Sequence, residues 1–271
     1  MSRDGRRSSA AGPRRTGVDL GCGWDSAARL VDGRWVERRP RRPEVVDQLR
    51  RETRLLPWLA PRLPLPVPVP EVVSEEPFAV RHLLVPGEPM ARPERGRELG
   101  LFLRALHDCP TGEPARLGVP GAGRGAARFE AEVLPLLPAD LHEDAHAVLA
   151  AGRRPVDHAL VHGDLGPDHV LTADGELTGV IDFGDAHLGD PAVDLAWPLH
   201  GATPEFADAV ADAYGATDDQ RERALVRHRL GPWHHVLFGL DHDDPVIVRE
   251  GLVDVVARLR RDRAPAAGPW L

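Results

Sequence analysis

The chain has 271 residues, 42% of them hydrophobic, which is enough for one large domain or two lobes with a buried core and too apolar for global disorder. Its two cysteines, Cys22 and Cys109, show no CxxC spacing, which argues against a disulfide framework or a thiolate zinc site and fits a reducing cytoplasm. No apolar run approaches the roughly 18 residues that span a bilayer, and charge is uneven: 23 arginines against 17 carboxylates in residues 1–130, then 11 against 25 in residues 131–271. A basic front half suits an anionic ligand and an acidic back half a cationic one. All 34 basic residues are arginine and asparagine is absent, so a site that elsewhere uses Lys or Asn must use another residue here.

Residues 1–16 carry five arginines and no apolar stretch, which reads as a disordered tail and not as a secretory signal. SAARLVDGRWVERR predicts two short strands around Asp32-Gly33, a two-residue hairpin signal because glycine tolerates positive φ. Pro43 opens a helix over PEVVDQLRRETRLLPWL, with Val46, Leu49, Leu55 and Leu56 on its buried face. The prolines of LPLPVPVPEVV forbid helix and favour extended chain. FAVRHLLV is a further strand, and VPGEPM leads out through a turn. From about residue 93 helical patterns dominate: ERGRELGLFLRALHDC, ARFEAEVLPLL and EDAHAVLAA, then 204–214, 218–240 and 246–262. Between them, VHGDLGPDHVL and TGVIDFGD make a small β-rich island around a tight turn at Asp174-Gly175. The expected architecture is α+β and bilobal, a small β-rich lobe over 17–85 and a mostly helical lobe over 86–271, with a binding cleft at the junction.

In VHGDLGPDHV, Asp164 leaves an apolar strand into a loop where Gly163, Gly166 and Pro167 prevent regular structure. A carboxylate there can take a proton from an incoming hydroxyl. His169 follows five residues later and Asp182 eighteen later, at the end of GVIDFG. A base, a second ligand and a DFG aspartate after a short hairpin fit phosphoryl transfer, in which the base orients the acceptor and the other two positions hold Mg²⁺ on the phosphates of ATP. Such chemistry is mostly positioning and charge neutralisation, so few side chains suffice. A rival zinc site built from His158, His162, Asp164, His169 and His187 is disfavoured, because HALVHGD reads as a strand on which i and i+4 lie ~13 Å apart.

LVHGDLGPDHVL, GVIDFGDAHLGDPAVDLAW and the front-half GRWVERRPRRPE…RRETRLLPWLAPRLPLPVP resemble the aminoglycoside phosphotransferase family of small-molecule kinases over roughly residues 17–260. The resemblance implies a protein-kinase-like fold, ATP or GTP as co-substrate, and Mg²⁺. It makes Asp164 the catalytic base and Asp182 and His169 the metal ligands. Arg38 aligns with the basic residue on the α/β-phosphates, Glu52 with its partner, and Gly21, Gly23 and Ser26 with a phosphate-covering turn. His82, Leu83 and Leu84 fall in a hinge whose backbone reads the base, while His162, Asp190 and Asp194 support the catalytic loop. Two positions depart from the commoner pattern: 169 is more often Asn, and Arg38 stands where many relatives carry lysine.

Asp185 and His187, together with Asp241, Asp243 and Asp244 at a helix end, are the candidates for acceptor binding. A compensating cation is expected near that end, because a helix C-terminus disfavours negative charge. Trp233 with Leu237, and Val236 with Leu240, follow helical spacing and read as core. The expectation is a cytoplasmic phosphotransferase moving a γ-phosphate to a hydroxyl of a small cationic molecule, foremost an aminoglycoside-type antibiotic, with resistance as a consequence. A macrolide or a metabolite amino alcohol or sugar is the alternative acceptor, and a kinase-like nucleotide-binding protein without turnover is the alternative class. Neither nucleic acid nor membrane is an expected partner, and the oligomeric state stays open.

Overall fold

The computed structural model describes residues 17–22, 26–123, 125–154 and 158–261; the N-terminal tail and Gly23 lie outside them. The chain divides into two compact units, Met1–Pro57 with Pro68–Leu84, and Trp58–Val67 with Val85–Leu271.

The first unit contains β1 (Gly17–Cys22), β2 (Ser26–Val31), β3 (Trp35–Pro40), α1 (Pro43–Leu59, whose last two residues belong to the second unit), β4 (Glu71–Glu75) and β5 (Phe78–Leu83). The strands form one antiparallel sheet in the order β1-β2-β3-β5-β4. Asp32 and Gly33 both take positive φ, 54° and 64°, as the hairpin signal requires. The ladder nevertheless pairs Val31 with Trp35, so the loop has three residues and not two. The extra one, Arg34, offers its carbonyl to the Leu84 N–H at 2.8 Å and so ties the hairpin to the end of β5. Pro43 starts α1 because a first-turn residue has no intrahelical partner for its N–H. Val45 and Leu49 of that helix pack on Phe78 and Val80 of β5, with Val46 beside them. The proline-rich run after α1 is extended and leads into β4.

The second unit adds β6 (Glu88–Pro89), α2 (Gly96–His107), α3 (Gly112–Arg116), α4 (Gly125–Arg128), α5 (His142–Ala151), β7 (Ala159–Val161), β8 (Val170–Ala173), β9 (Glu176–Val180), β10 (His187–Gly189), α6 (Ala192–His200), α7 (Pro204–Tyr214), α8 (Asp218–Asp241) and α9 (Pro245–Arg261). ARFEAEVLPLL is not one regular helix. α4 passes through a π-wound turn, Phe129–Val133, into a 3₁₀ turn, Leu134–Leu136, where Pro135 has no N–H to continue an α ladder. Strands β6, β8 and β9 form one small sheet, and β10 pairs antiparallel with β7. Asp174 and Gly175, at φ 52° and 78°, make the tight β8–β9 turn. The Val180 N–H donates to the Pro66 carbonyl at 3.0 Å, one of the contacts that join residues 58–67 to this unit.

Helices α2 and α7 approach backbone to backbone. A Cβ on Gly100 would stand 2.5 Å from the Val210 carbonyl oxygen, so only glycine permits the contact. Thr217 and Gln220 form a reciprocal capping box at the start of α8. Trp233, Val236, Val255 and Leu259 of α8 and α9 form an apolar core cluster with Phe129, Leu141 and Leu149. Among the described residues no helix is long and apolar enough to cross a membrane.

The Trp233 indole Nε1 is buried without a hydrogen-bond partner among the described residues. A buried unmet donor costs about 1–3 kcal/mol. Trp233→Phe removes that donor along with some volume, so urea unfolding is expected to show a loss well below the ~3–5 kcal/mol of a Trp→Ala change.

Candidate active site

The buried strand β7 ends at Val161 and hands the chain to His162, Gly163 and Asp164. Asp194, in the first turn of α6 and fully buried, holds this loop from behind. Its Oδ2 accepts the His162 N–H at 2.7 Å and its Oδ1 the Gly163 N–H at 2.9 Å. A third donor, His107 Nε2 from the end of α2, reaches Oδ2 at 3.0 Å. Burial alone would push the Asp194 carboxyl up, but the His107 hydrogen bond and the surrounding donors outweigh it and hold the group below the usual carboxylate range.

His162 is fully buried, and its Nε2–H donates to the Ile181 carbonyl at 2.8 Å while Nδ1 accepts from the Asp164 N–H at 3.3 Å. Burial lowers its pKa, so the ring is a neutral brace, stacked on His169 at 5.8 Å and tilted against Phe183 at 4.7 Å. Gly163 has φ +88°, and the Asp185 carbonyl oxygen lies 2.3 Å from where a Cβ would stand. Those constraints aim Asp164 outward, with 65% of its side chain exposed. Desolvation by the protein packed behind it, reinforced by the negative charges of Asp185, Asp182 and Asp194, pushes its carboxyl up to about 6, against the opposing pull of His169.

His169 ends a short 3₁₀ turn, and its Nδ1–H donates to the Asp164 carbonyl at 2.6 Å, which leaves Nε2 as the nitrogen for a ligand. Its own carbonyl accepts the Ile181 N–H at 2.9 Å, tying the HGD turn to the DFG turn. The next residue, Asp182, has φ +85°, a conformation unfavourable for a non-glycine residue. No three His, Cys, Asp or Glu among the described residues form a closed cluster that could hold a metal ion. One carboxylate and one imidazole nitrogen, on two turns joined by the Ile181–His169 backbone hydrogen bond, are a donor set small enough for a Mg²⁺ that keeps water and phosphate oxygens as its other ligands.

In the first unit, Arg38 of β3 donates through Nη1 to Glu52 of α1 at 2.6 Å and through Nε to the Ser26 hydroxyl at 3.2 Å. All three side chains are largely buried. Ser26, expected in a phosphate-covering turn, is thus the first residue of β2 and a partner of Arg38; Gly21 lies within β1. In the hinge stretch, His82 is buried with Nδ1 on the Leu83 carbonyl, Leu83 and Leu84 are exposed, and the Leu84 N–H is already engaged by Arg34.

Several expected site residues have other partners. Asp190 accepts the Ala192 N–H at 3.0 Å, capping α6, and pairs with Arg223 and Arg227 of α8. Asp241 is held by Arg128 at 2.6 Å, which is the compensating cation expected at that helix end, and Asp244 caps α9 through the Val246 and Ile247 N–H groups. These partners occupy two of the three acidic acceptor candidates there; Asp243 remains exposed. His187 donates from Nδ1 to the Asp185 carbonyl at 2.8 Å, beside Gly163. Sequence reasoning missed His107 and Tyr214, whose only signal is a histidine on the apolar face of α2.

The family model described as the phosphotransferase enzyme family matches residues 18–226. Viomycin phosphotransferase of Streptomyces vinaceus is 34% identical over 111 residues, 37% of this chain and 39% of that protein. An aminoglycoside 3′-phosphotransferase of Escherichia coli is 30% identical over 147 residues, 49% of this chain and 53% of that protein. The chain therefore spans less than two thirds of the length of these curated relatives. Among solved structures, the GDP complex of aminoglycoside 2′-phosphotransferase-IIIa superposes with a TM-score of 0.80 at 26% identity, covering 92% of this chain and 93% of that one. A macrolide 2′-phosphotransferase from Brachybacterium faecium follows with a TM-score of 0.73 at 26% identity, covering 90% and 93%. The fold is the α+β, bilobal, kinase-like fold of these proteins.

Gly163→Ala tests the loop geometry. The positive φ alone costs about 1–3 kcal/mol, and the Asp185 carbonyl leaves no room for a methyl group. Thermal unfolding is expected to show a clear loss of stability, whereas Gly166→Ala, with open space around the added Cβ, should change it far less.

Proposed function

The chain belongs to the phosphotransferase enzyme family, and from that premise we propose that it transfers the γ-phosphate of ATP or GTP to a hydroxyl of a small molecule. The observation that carries this reading is the Asp164 carboxylate, exposed on a loop whose backbone is fixed by Asp194; a carboxyl pushed up to about 6 by the protein behind it is in keeping with that role. A base poised near neutrality accepts a proton from an attacking hydroxyl most effectively. Asp164 therefore receives the acceptor hydroxyl, orients it in line with the γ-phosphorus and takes its proton as the new O–P bond forms, while the bond from the γ-phosphorus to the β–γ bridging oxygen breaks and the nucleoside diphosphate leaves. Asp182 and His169 Nε2 are the groups to hold Mg²⁺, which would neutralise charge on the phosphate oxygens. Arg38, locked in place by Glu52 and Ser26, is the guanidinium for the α/β-phosphates. Arginine serves there as a rigid fork in place of a lysine point charge. GDP in a similar structure supports a purine nucleotide as co-substrate.

A cationic, aminoglycoside-type acceptor is the favoured class. Asp164, Asp182 and Asp185 share one negative field, and kanamycin is bound in a structurally similar phosphotransferase at 27% identity. A macrolide is the second reading. It is favoured by the capture of Asp241 and Asp244 by Arg128 and by the α9 backbone, which removes two charges a polyamine would seek.

The test is NDP release from MgATP and MgGTP with kanamycin, gentamicin, streptomycin, viomycin and a macrolide as acceptors. Acceptor-stimulated release is expected for at least one, and Asp164→Ala should abolish it while nucleotide still binds. The sign of the pH effect follows from the raised pKa: the basic form of Asp164 is present above about pH 6 and lost below it. The rate kcat/KM for acceptor should therefore fall with an acid limb near pH 6. Stimulated release that survives Asp164→Ala would overturn the proposal.

A further inference from the structure

The proposed chemistry uses Asp164 and its metal ligands, yet a buried polar chain runs on behind them to the far side of α2. His107, at the C-terminal end of α2, is buried, as are Asp194 and Tyr214 on either side of it. Its Nε2 lies 3.0 Å from Asp194 Oδ2 and its Nδ1 2.9 Å from the Tyr214 hydroxyl, with the two rings edge to face at 5.5 Å. A carboxylate only accepts, so Nε2 must carry the hydrogen on the Asp194 side. The chain thus reads Tyr214, His107, Asp194, and then the backbone N–H groups of His162 and Gly163. Its members come from α7, α2, α6 and the catalytic loop, and the glycine contact of α2 on α7 brings His107 and Tyr214 into range.

We infer that His107 is a positioning residue for phosphoryl transfer: by donating to Asp194 it fixes the orientation of the carboxylate that aims Asp164. The physical reason lies in the donor count. Asp194 Oδ2 serves His162 N–H and His107 at once; without the imidazole hydrogen bond, the carboxylate can rotate about χ2 and trade its two backbone contacts for others. A buried carboxylate left short of a donor is also costly, so the loop would shift to find one or admit water. His107 touches no reacting atom. Its effect is therefore on the rate of the chemical step and not on nucleotide affinity.

This inference rests on the proposed reading of Asp164, and the experiment separates the two. His107→Leu removes the donor, and His107→Gln keeps an N–H at nearly the same reach. Both are compared with wild type in thermal unfolding, in steady-state kinetics with MgATP and MgGTP and kanamycin as acceptor, and in the ¹H–¹⁵N resonances of the His162 and Gly163 amides. The expected result is a ~10- to 100-fold fall in kcat for His107→Leu, the range seen when a group supporting a catalytic ligand is removed. Nucleotide KM should be unchanged, and His107→Gln should restore most of the rate. The two amides, shifted downfield by their bonds to a carboxylate, should move in the Leu variant and return in the Gln variant. If kanamycin is not phosphorylated by the wild type, the amide shifts alone decide. Unmoved amides in a folded His107→Leu protein would overturn the inference, as would an unchanged kcat with only stability lost.

Discussion

Asp194 gives up all of its hydration and recovers it from three donors: two consecutive backbone N–H groups of the catalytic loop and one imidazole. Charge-assisted hydrogen bonds of this kind are about twice as strong as neutral ones, and in a dry surround the carboxylate cannot exchange them for water. The turn that follows β7 is therefore held by its backbone. That leaves the Asp164 side chain free of structural duty and open to a reactant. The neutral His162 brace and the close approach of Asp185 to Gly163 are consequences of the same clamp, since both depend on where the two amides are pinned.

The charge pattern looks different once partners are known. Residues 131–271 carry a large excess of carboxylates, and a simple count assigns them to a cationic ligand. Much of that charge is committed to the fold. Asp190 is shared between a helix cap and two arginines one turn apart on α8, and Asp241 is gripped by Arg128 together with Glu132. At the candidate site Asp164, Asp182 and Asp185 form a smaller group, and the negative charges of Asp185 and Asp182 help raise the pKa of Asp164. That field is suited to a divalent cation and to an ammonium group, and its strength comes from proximity and not from the total count.

Local patterns were the legible part of the structure. Pro43 as the first residue of α1, Asp174-Gly175 as a two-residue turn, and the span of α7 all follow from residue-level rules that need no tertiary partner. The order and spacing of HGD, DFGD and GDPxxD were enough to bring Asp164, Asp182 and Asp194 into consideration together. Illegible were the features decided by distant neighbours. Arg34 joins the hairpin loop because β5 ends beside it, and the helix expected around Phe129 winds into π and 3₁₀ turns before Pro135. Asp190 and Asp194 sit four residues apart in one motif, yet one faces α8 and the other the catalytic loop. His107 was hidden for a plain reason: a histidine on an apolar helix face looks like packing until the residues 87 and 107 positions away are placed against it.

The central claim is that one buried carboxylate sets the position of the catalytic base. Asp194→Asn tests it most directly, because the change keeps size and shape but replaces an acceptor of three hydrogen bonds with a group that must present an NH₂ to one of those donors. The measurement is single-turnover phosphoryl transfer from saturating MgATP or MgGTP, alongside nucleotide affinity in the same protein. The account predicts a rate reduced by about 10- to 100-fold with nucleotide affinity retained. A folded Asp194→Asn protein that transfers phosphate at the wild-type rate would contradict it.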